Sequence, residues 1–351
     1  MQYLIAGGAA FLFSTVLTVL TKRFAWRYKI IDRPTFWRKI HTKPTPLMGG
    51  TAIFLAFFAV SFYYIFFTGL IIGKYITLPM IIGIWIAGAI IIFGGFLDDK
   101  KSQDPIKQII WPVVAVVAVI FTGIKIGYVT NPLGGIINFG GLPILSITLT
   151  FLWLLGMSYT TKILDGLDGL ASGITLIGAL IVFIVSFFVG PAILPEVSML
   201  SIIFAGSILG FLLFNWHKAS IFLGEGGSLF CGFMLGVLAI ITDGKIAVTL
   251  LVMGIPIIDL LFVIVQRFMR KESPFSHSDK KHLHFRLLDI GFSHRQAVLF
   301  LYFFTVLFGS IGLFLKSRGR LIAFATLFLV MILMGIFLYL TYKKKSKKSL
   351  V

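Results

Sequence analysis

The chain has 351 residues, of which 31 are Lys or Arg and 13 are Asp or Glu, for a formal net charge of +18. Hydrophobic residues make up 58% and charged residues 13%, where a soluble protein carries about 25% charged residues. That balance excludes an ordinary soluble globule, a disordered basic tail, which needs low hydrophobicity, and a nucleic-acid binder, which needs more polar surface; a polytopic membrane protein remains.

In chain order, eleven apolar runs have the length of a membrane helix, roughly 20 residues: 3–20, 47–69, 77–97, 106–124, 144–160, 171–189, 196–213, 227–242, 246–266, 297–315 and 320–342. The expected fold is an all-α polytopic membrane protein of about eleven transmembrane helices. A single transmembrane domain is expected over residues 1–342, followed by a basic cytoplasmic tail, 343–351. The first run lacks the basic flank and small-residue cleavage site of a signal peptide and reads as a retained helix. The single Cys231 lies in an apolar run, which excludes a disulfide framework and reads as a small buried hydrophobe.

The gaps between the runs sort the charge. Of the 31 basic residues, 25 fall in one alternate set: 21–46, 98–105 with Lys107, 161–170, 214–226, 267–296 and the tail. Basic residues stay on the cytoplasmic side. This predicts an outside N-terminus, a cytoplasmic C-terminus and residence in the cell inner (plasma) membrane, with the tail lysines against anionic lipid. All six His and ten of the 13 carboxylates share the basic side; Glu196 and Asp243 fall outside, and Asp259 falls within a run. The charge rule concerns Lys and Arg rather than acids and His. Their gathering therefore points independently to an active site facing the cytoplasm, built from several loops.

Five inner strings carry the chemistry. The first, IIDRPTFWRKIHTKPTPLMGG, offers Asp32, Arg38, Lys39 and His41, with Pro34, Pro44 and Pro46 making it rigid. The second, FGGFLDDKK, ends a run on Asp98 and Asp99. Adjacent carboxylates repel unless a cation or donor compensates them, and they suit a hard cation such as Mg²⁺; a solvated helix end with Lys100 and Lys101 as counter-ions reads equally well. The third, KILDGLDGLASG, places Asp165 and Asp168 three apart, on one face if the segment is helical, although capping of the next helix fits as well. The fourth, GEGGSLF, frames Glu225 with glycines ahead of a helix expected near Ser228; such a turn offers N–H groups to an anion. The fifth, SPFSHSDKKHLHFRLLDIGFSHRQAV, carries His282, His284 and Arg286, donors that fit phosphate recognition, flanked by Asp279; a solvated basic loop reads as well. Asp259 in GIPIIDLLF is an intramembrane carboxylate, a functional position by default; its partner is not named by the sequence, though Arg267 lies two turns on.

These five strings, in this order from about Asp32 to Gln296, resemble the polyprenyl-phosphate N-acetylhexosamine-1-phosphate transferases (glycosyltransferase family 4). Asp32, Pro34, Arg38, Lys39, His41, Pro44, Pro46, Gly49 and Gly50 match the family's first loop, Asp98-Asp99 its paired aspartates and DGLDGLASG its Asp-Gly-x-Asp-Gly-Leu motif. GEGGSLF looks like its Gly-Asp-x-Gly-Ser loop, and SPFSHSDKKHLHF is similar to the last loop of the branch that takes UDP-N-acetylglucosamine. The chain departs from the pattern at Tyr159 and Lys162, where the family has Asn, at Glu225, where it has Asp, and at His284-Phe285, where it has a His pair.

The resemblance implies transfer of N-acetylhexosamine 1-phosphate, GlcNAc-1-phosphate first, from a UDP-sugar to undecaprenyl phosphate, with release of UMP, at the start of envelope polysaccharide synthesis. It implies Mg²⁺, with Mn²⁺ as a substitute, held by Asp168, Glu225 and Asp99. Asp98, Asp99, Asp165 and Asp168 would be catalytic, with Asp98 orienting or deprotonating the lipid phosphate. Lys39, Arg38, His41, Asp279, His282, His284 and Arg286 would bind substrate; Lys162, where the chain departs from the family, would contact the pyrophosphate, pair with Asp165 or Asp168, or partly replace metal charge. The partners are UDP-N-acetylhexosamine, undecaprenyl phosphate and membrane lipid, with no nucleic acid; a homodimer is compatible. Lys162, Glu225 and Phe285 keep open a second reading, a catalytically weakened paralogue that binds lipid phosphate. A transporter is a third, but transporters place their sites near the midplane, whereas these acids lie on one face.

Overall fold

The computed structural model describes residues 1–34, 43–131, 134–189, 193–242, 246–269, 282–315 and 317–348. Thirteen helices are described: α1 Gln2–Arg27, α2 Gly49–Tyr63, α3 Leu78–Lys100, α4 Pro105–Phe121, α5 Pro143–Leu164, α6 Leu170–Ile184, α7 Pro195–Asn215, α8 Gly224–Ile241, α9 Ile246–Val252, α10 Gly254–Met269, α11 Leu283–Ile290, α12 His294–Phe314 and α13 Ser317–Lys348. Two antiparallel pairs complete the fold, β1 Ile31–Asp32 with β2 Thr45–Pro46 and β3 Tyr128–Thr130 with β4 Ile136–Asn138.

The eleven expected runs each fall on helix. Nine correspond, among the described residues, to single apolar helices long enough to cross a membrane: α1, α2, α3, α5, α6, α7, α8, α12 and α13. Here α2 and α6 count with the π-helical turns that continue them, Tyr64–Thr68 and Val185–Val189. The run at 246–266 is a bent pair, α9 and α10, which turn 75° at one break. The run at 106–124 forms α4, which has 17 residues and contains Pro112; at 1.5 Å per residue it spans about 25 Å, short of a hydrocarbon core of about 30 Å. Helix α13 continues to Lys348, past the domain boundary expected at residue 342.

Burial ranks the helices. In α8, 94% of the apolar stretch is buried, against 11% in α13. A helix apolar on all sides belongs inside a bundle, and α8 is packed among α2, α3, α5 and α6. Small residues let backbones approach closely in such packing. A methyl at Gly50 would stand 2.0 Å from Gly227 Cα, and one at Gly95 would stand 2.0 Å from Gly226 N. Hydroxyls buried in the helices bond to the carbonyl four residues back, as Thr18 does to Ser14 (2.7 Å) and Thr161 to Met157 (2.9 Å). This satisfies them where water is absent.

Helix α7 gives the fold its polarity. Its 21 residues span about 30 Å. Glu196 in its first turn accepts from Lys74 N (3.1 Å), while Asn215 at its end joins the segments described next.

Candidate active site

Two sequence expectations of local structure are corrected. Helix α8 begins at Gly224, not near Ser228, so Glu225 lies in its first turn and Gly226 and Gly227 are helical. Tertiary contact outweighs their poor helix propensity, because both glycines face another helix at backbone distance. Asp165 and Asp168 do not share a helical face. Asp165 caps the end of α5, and Asp168 lies in the turn that leads, through Gly169 at φ +77°, into α6. The chain between the two acids is a turn, with α5 ending at Leu164, and the positive φ of Gly169, which suits glycine, starts α6 only after Asp168.

The first turn of α8 does meet an anion, and it is the protein's own. Asp99, in the last turn of α3, accepts from Glu225 N–H at 3.1 Å. A carboxylate is stabilised at a helix N-terminus by the free N–H groups there. Gly224, at φ +79°, has no room for a side chain, since a methyl would stand 2.4 Å from Asp99 Oδ2. The entry to α2 is stitched to the same segment: Gly49 N donates to Phe222 O (2.9 Å) and Gly50 N to Leu223 O (2.8 Å).

Asp98 turns the other way. Its Oδ1 accepts from Gln103 N (2.7 Å) and from Gln108 Nε2 (3.0 Å). The Gln108 amide oxygen accepts from Lys162 Nζ at 3.2 Å, and the same ammonium pairs with Glu225 Oε1 at 2.5 Å. Asp165 lies in the field of Asp168 and Glu225. Burial, then those two charges, pushes its carboxyl up to about 7. Five carboxylates, Asp98, Asp99, Asp165, Asp168 and Glu225, thus gather at one end of the bundle, and among the described residues Lys162 pairs directly with one of them, Glu225.

Asp168 is held by groups to which the sequence reading gave no role. Its Oδ2 accepts from His217 Nδ1 (2.8 Å) and Ala219 N (3.1 Å). His294 stacks on His217 with ring centroids 4.0 Å apart and planes 19° apart. Ligand atoms of Asp168, His217 and His294 lie within 4.8 Å of one another. Rings so nearly parallel direct their in-plane lone pairs along similar lines rather than at one ion, so this trio reads as a support for Asp168. Asn215 ties the turn down: it accepts from Gly169 N (3.1 Å) and Ser172 Oγ (2.8 Å) and donates to Ile221 O (3.0 Å). The one-sided distribution of His was the only sequence signal for His217 and His294; Gln108 and Asn215 left none.

The described start of the fifth string, His282 to His284, is buried. Asp259 finds its partners there: His282 Nδ1 at 2.9 Å and Leu283 N–H at 3.0 Å, so it caps α11 from a different helix. His284 is 2% exposed and lies against Gly166, where a methyl would stand 2.2 Å from its Nε2. Burial, reinforced by His282 and His294 and opposed by Asp259, lowers the His284 imidazole to about 4. Arg286 lies over the Phe262 ring at 5.8 Å. His284 therefore braces the 165–169 turn at Gly166, while His282 is held on Asp259, and both are buried. Arg38, Lys39, His41 and Asp279 lie outside the described residues.

Comparison with known proteins bears on this arrangement. The profile of glycosyl transferase family 4 matches residues 81–243, the stretch from α3 through α8. A probable undecaprenyl-phosphate N-acetylglucosaminyl 1-phosphate transferase of Bacillus subtilis is 31% identical over 92% of this chain and 87% of its own. The chain belongs to glycosyl transferase family 4. A decaprenyl-phosphate N-acetylglucosaminephosphotransferase of Mycobacterium leprae is 33% identical over 76% of this chain and 72% of its own. An undecaprenyl-phosphate alpha-N-acetylglucosaminyl 1-phosphate transferase of Escherichia coli is 26% identical over 94% and 88%. Within this family-4 chain, the profile match takes in all five carboxylates, Lys162 and His217, whereas His282, His284 and His294 lie beyond it.

Proposed function

We propose that this family-4 protein transfers GlcNAc 1-phosphate from UDP-GlcNAc to undecaprenyl phosphate, releasing UMP, at the cytoplasmic face of the plasma membrane. The observation that carries the reading is the set of five carboxylates around Lys162 at one end of an apolar helical bundle. The relatives' names supply the undecaprenyl phosphate and the GlcNAc 1-phosphate group, the family resemblance supplies the UDP-sugar, and the excess of basic residues on that side supports the orientation.

The residues fit a hard divalent cation. All five acids offer oxygen, the donor that Mg²⁺ takes, and Asp165, raised by burial first and then by Asp168 and Glu225, lies in a field of like charge that a cation would relieve. Asp168, Glu225 and Asp99 are the ligands we assign to Mg²⁺, with Mn²⁺ as a substitute. When bound, the ion would neutralise diphosphate charge.

In the reaction an oxygen of the lipid phosphate attacks the β-phosphorus of UDP-GlcNAc. A new P–O bond forms, the bond to the α-phosphate oxygen breaks, and UMP leaves with that oxygen. A phosphate nucleophile is already an anion near neutral pH, so the protein's work is positioning and charge neutralisation. Asp98, fixed by Gln103 and Gln108, orients the lipid phosphate. Asp168 is kept in place by His217 and Ala219 N–H, and His284 backs the turn that carries it. Arg38, Lys39, His41 and Arg286 are assigned to substrate phosphates and headgroup, and Asp279 to substrate binding.

The test is transfer by purified protein supplied with Mg²⁺, tritium-labelled UDP-GlcNAc and undecaprenyl phosphate. Labelled lipid and UMP are expected in equal amounts, and Asp99→Asn and Asp168→Asn should each abolish both while expression is kept. Near-normal rates in both variants would overturn the site assignment, and no transfer from any UDP-sugar with Mg²⁺ or Mn²⁺ would overturn the activity.

A further inference from the structure

Lys162 occupies a ligand position. Its Nζ lies 2.5 Å from Glu225 Oε1 and 3.2 Å from Gln108 Oε1, with the Tyr159 ring 5.6 Å away on its own helix. Gln108 passes the contact on, because its amide nitrogen donates to Asp98 Oδ1 at 3.0 Å. One ammonium therefore acts on two acids from different helices, Glu225 of α8 directly and Asp98 of α3 through an amide. The pair is well sheltered, with side-chain exposures of 25% and 15%, so it is screened less than a surface pair. Lys162 also lies in the last turn of α5, the end of a helix that favours a cation.

We infer that Lys162 is a built-in cation that competes with the divalent metal for Glu225 and so weakens the metal's binding. This rests on the cation-dependent transferase reading above and adds to it. A divalent cation reaching Glu225 must displace the ammonium or share the carboxylate with it. Either way the metal forgoes part of the attraction of one ligand and feels a like charge at close range. The weakening is a property of this chain's own residues: removing the ammonium releases Glu225 without altering any of the five carboxylates. Empty of metal, the cluster stays tolerable because Lys162 offsets part of its charge. Lys162 is thus a positioning and charge-setting residue whose effect is read in metal affinity.

The experiment measures Mn²⁺ binding to purified wild type, Lys162→Met and Lys162→Arg by the electron paramagnetic resonance signal of free Mn²⁺. Thermal unfolding is followed with EDTA and with Mn²⁺. Lys162→Met should bind Mn²⁺ at least about tenfold more tightly, and Lys162→Arg should stay close to wild type. Lys162→Met should also melt lower than wild type in EDTA and gain more from Mn²⁺. If it folds only with the ion, it is purified in Mn²⁺ and then exchanged for the titration. The double variant Lys162→Met with Glu225→Gln should lose the gain in affinity. Unchanged or weaker binding by folded Lys162→Met, or a gain that survives in the double variant, would overturn the inference. Wild type that binds Mn²⁺ and catalyses transfer beside an unchanged Lys162→Met overturns this inference alone. Absence of both Mn²⁺ binding and cation-supported transfer in wild type and variants overturns the reading on which it rests.

Discussion

Replacing Gly95 by Ala tests how the site is assembled. The added methyl would stand 2.0 Å from Gly226 N and 2.2 Å from Gly226 Cα, where ordinary contact begins at 3.4 Å. Both neighbours are backbone, so no side chain can swing aside, and α3 and α8 must part by about 1.4 Å at this level. Asp98 and Asp99 follow within one turn of α3. The same separation would stretch the 3.1 Å bond from Glu225 N to Asp99 to about 4.5 Å, beyond hydrogen bonding. Overpacking of this kind costs about 1–3 kcal/mol of stability, and a displacement of about 1 Å at reacting groups costs about 100-fold in rate. The assay is the initial rate of UMP release from UDP-GlcNAc and undecaprenyl phosphate, alongside yield and melting temperature. Gly156→Ala is the matched control, because a methyl there meets nothing within 4 Å; it should leave rate and yield unchanged. A Gly95→Ala protein with the rate and melting temperature of wild type would refute the claim that backbone contact between α3 and α8 sets the carboxylate geometry.

Two further outcomes are expected. Asn215→Leu leaves Gly169 N, Ser172 Oγ and Ile221 O without their partner, at about 1–3 kcal/mol for each buried group that stays unpaired; its melting temperature and transfer rate should both fall, and an unchanged melting temperature would contradict the role given to Asn215. The buried His284 imidazole is lowered to about 4 from an ordinary 6.5. The unfolded chain therefore binds the proton first, and the stability this group contributes is present above pH 6.5 and lost as pH falls toward 4. Between pH 7 and pH 5 the loss is about 2 kcal/mol. Unfolding of wild type and His284→Gln at the two pH values checks it: the variant should show the shallower dependence, and identical slopes would refute the assignment.

The strings that carry the chemistry were legible because their signals are local. Asp98-Asp99, the Asp-Gly repeats and Glu225 are short patterns at the ends of apolar runs, and all five acids do meet at one end of the bundle. The start of α8 was misread because Gly226 and Gly227 weaken a helix in isolation and are tolerated here only by the helices packed on them. The acids at 165 and 168 were assigned one helical face because a spacing of three reads that way. Helix α5 instead ends at Leu164, and the turn that follows, pinned at Gly169 by Asn215, carries both acids outside any helix.

The sequence by itself determined the class of molecule, the eleven apolar runs, the gathering of most acids and His in one alternate set of gaps, and the family. Apolarity, length and charge are properties of consecutive residues, and a bilayer sorts them one dimension at a time. Only the tertiary structure decided the pairings: Lys162 with Glu225, Gln108 between Lys162 and Asp98, His217 on Asp168, and Asp259 on His282. Each joins residues far apart in the chain whose meeting depends on which helix faces which, and that is set by close packing of small residues against neighbouring backbone.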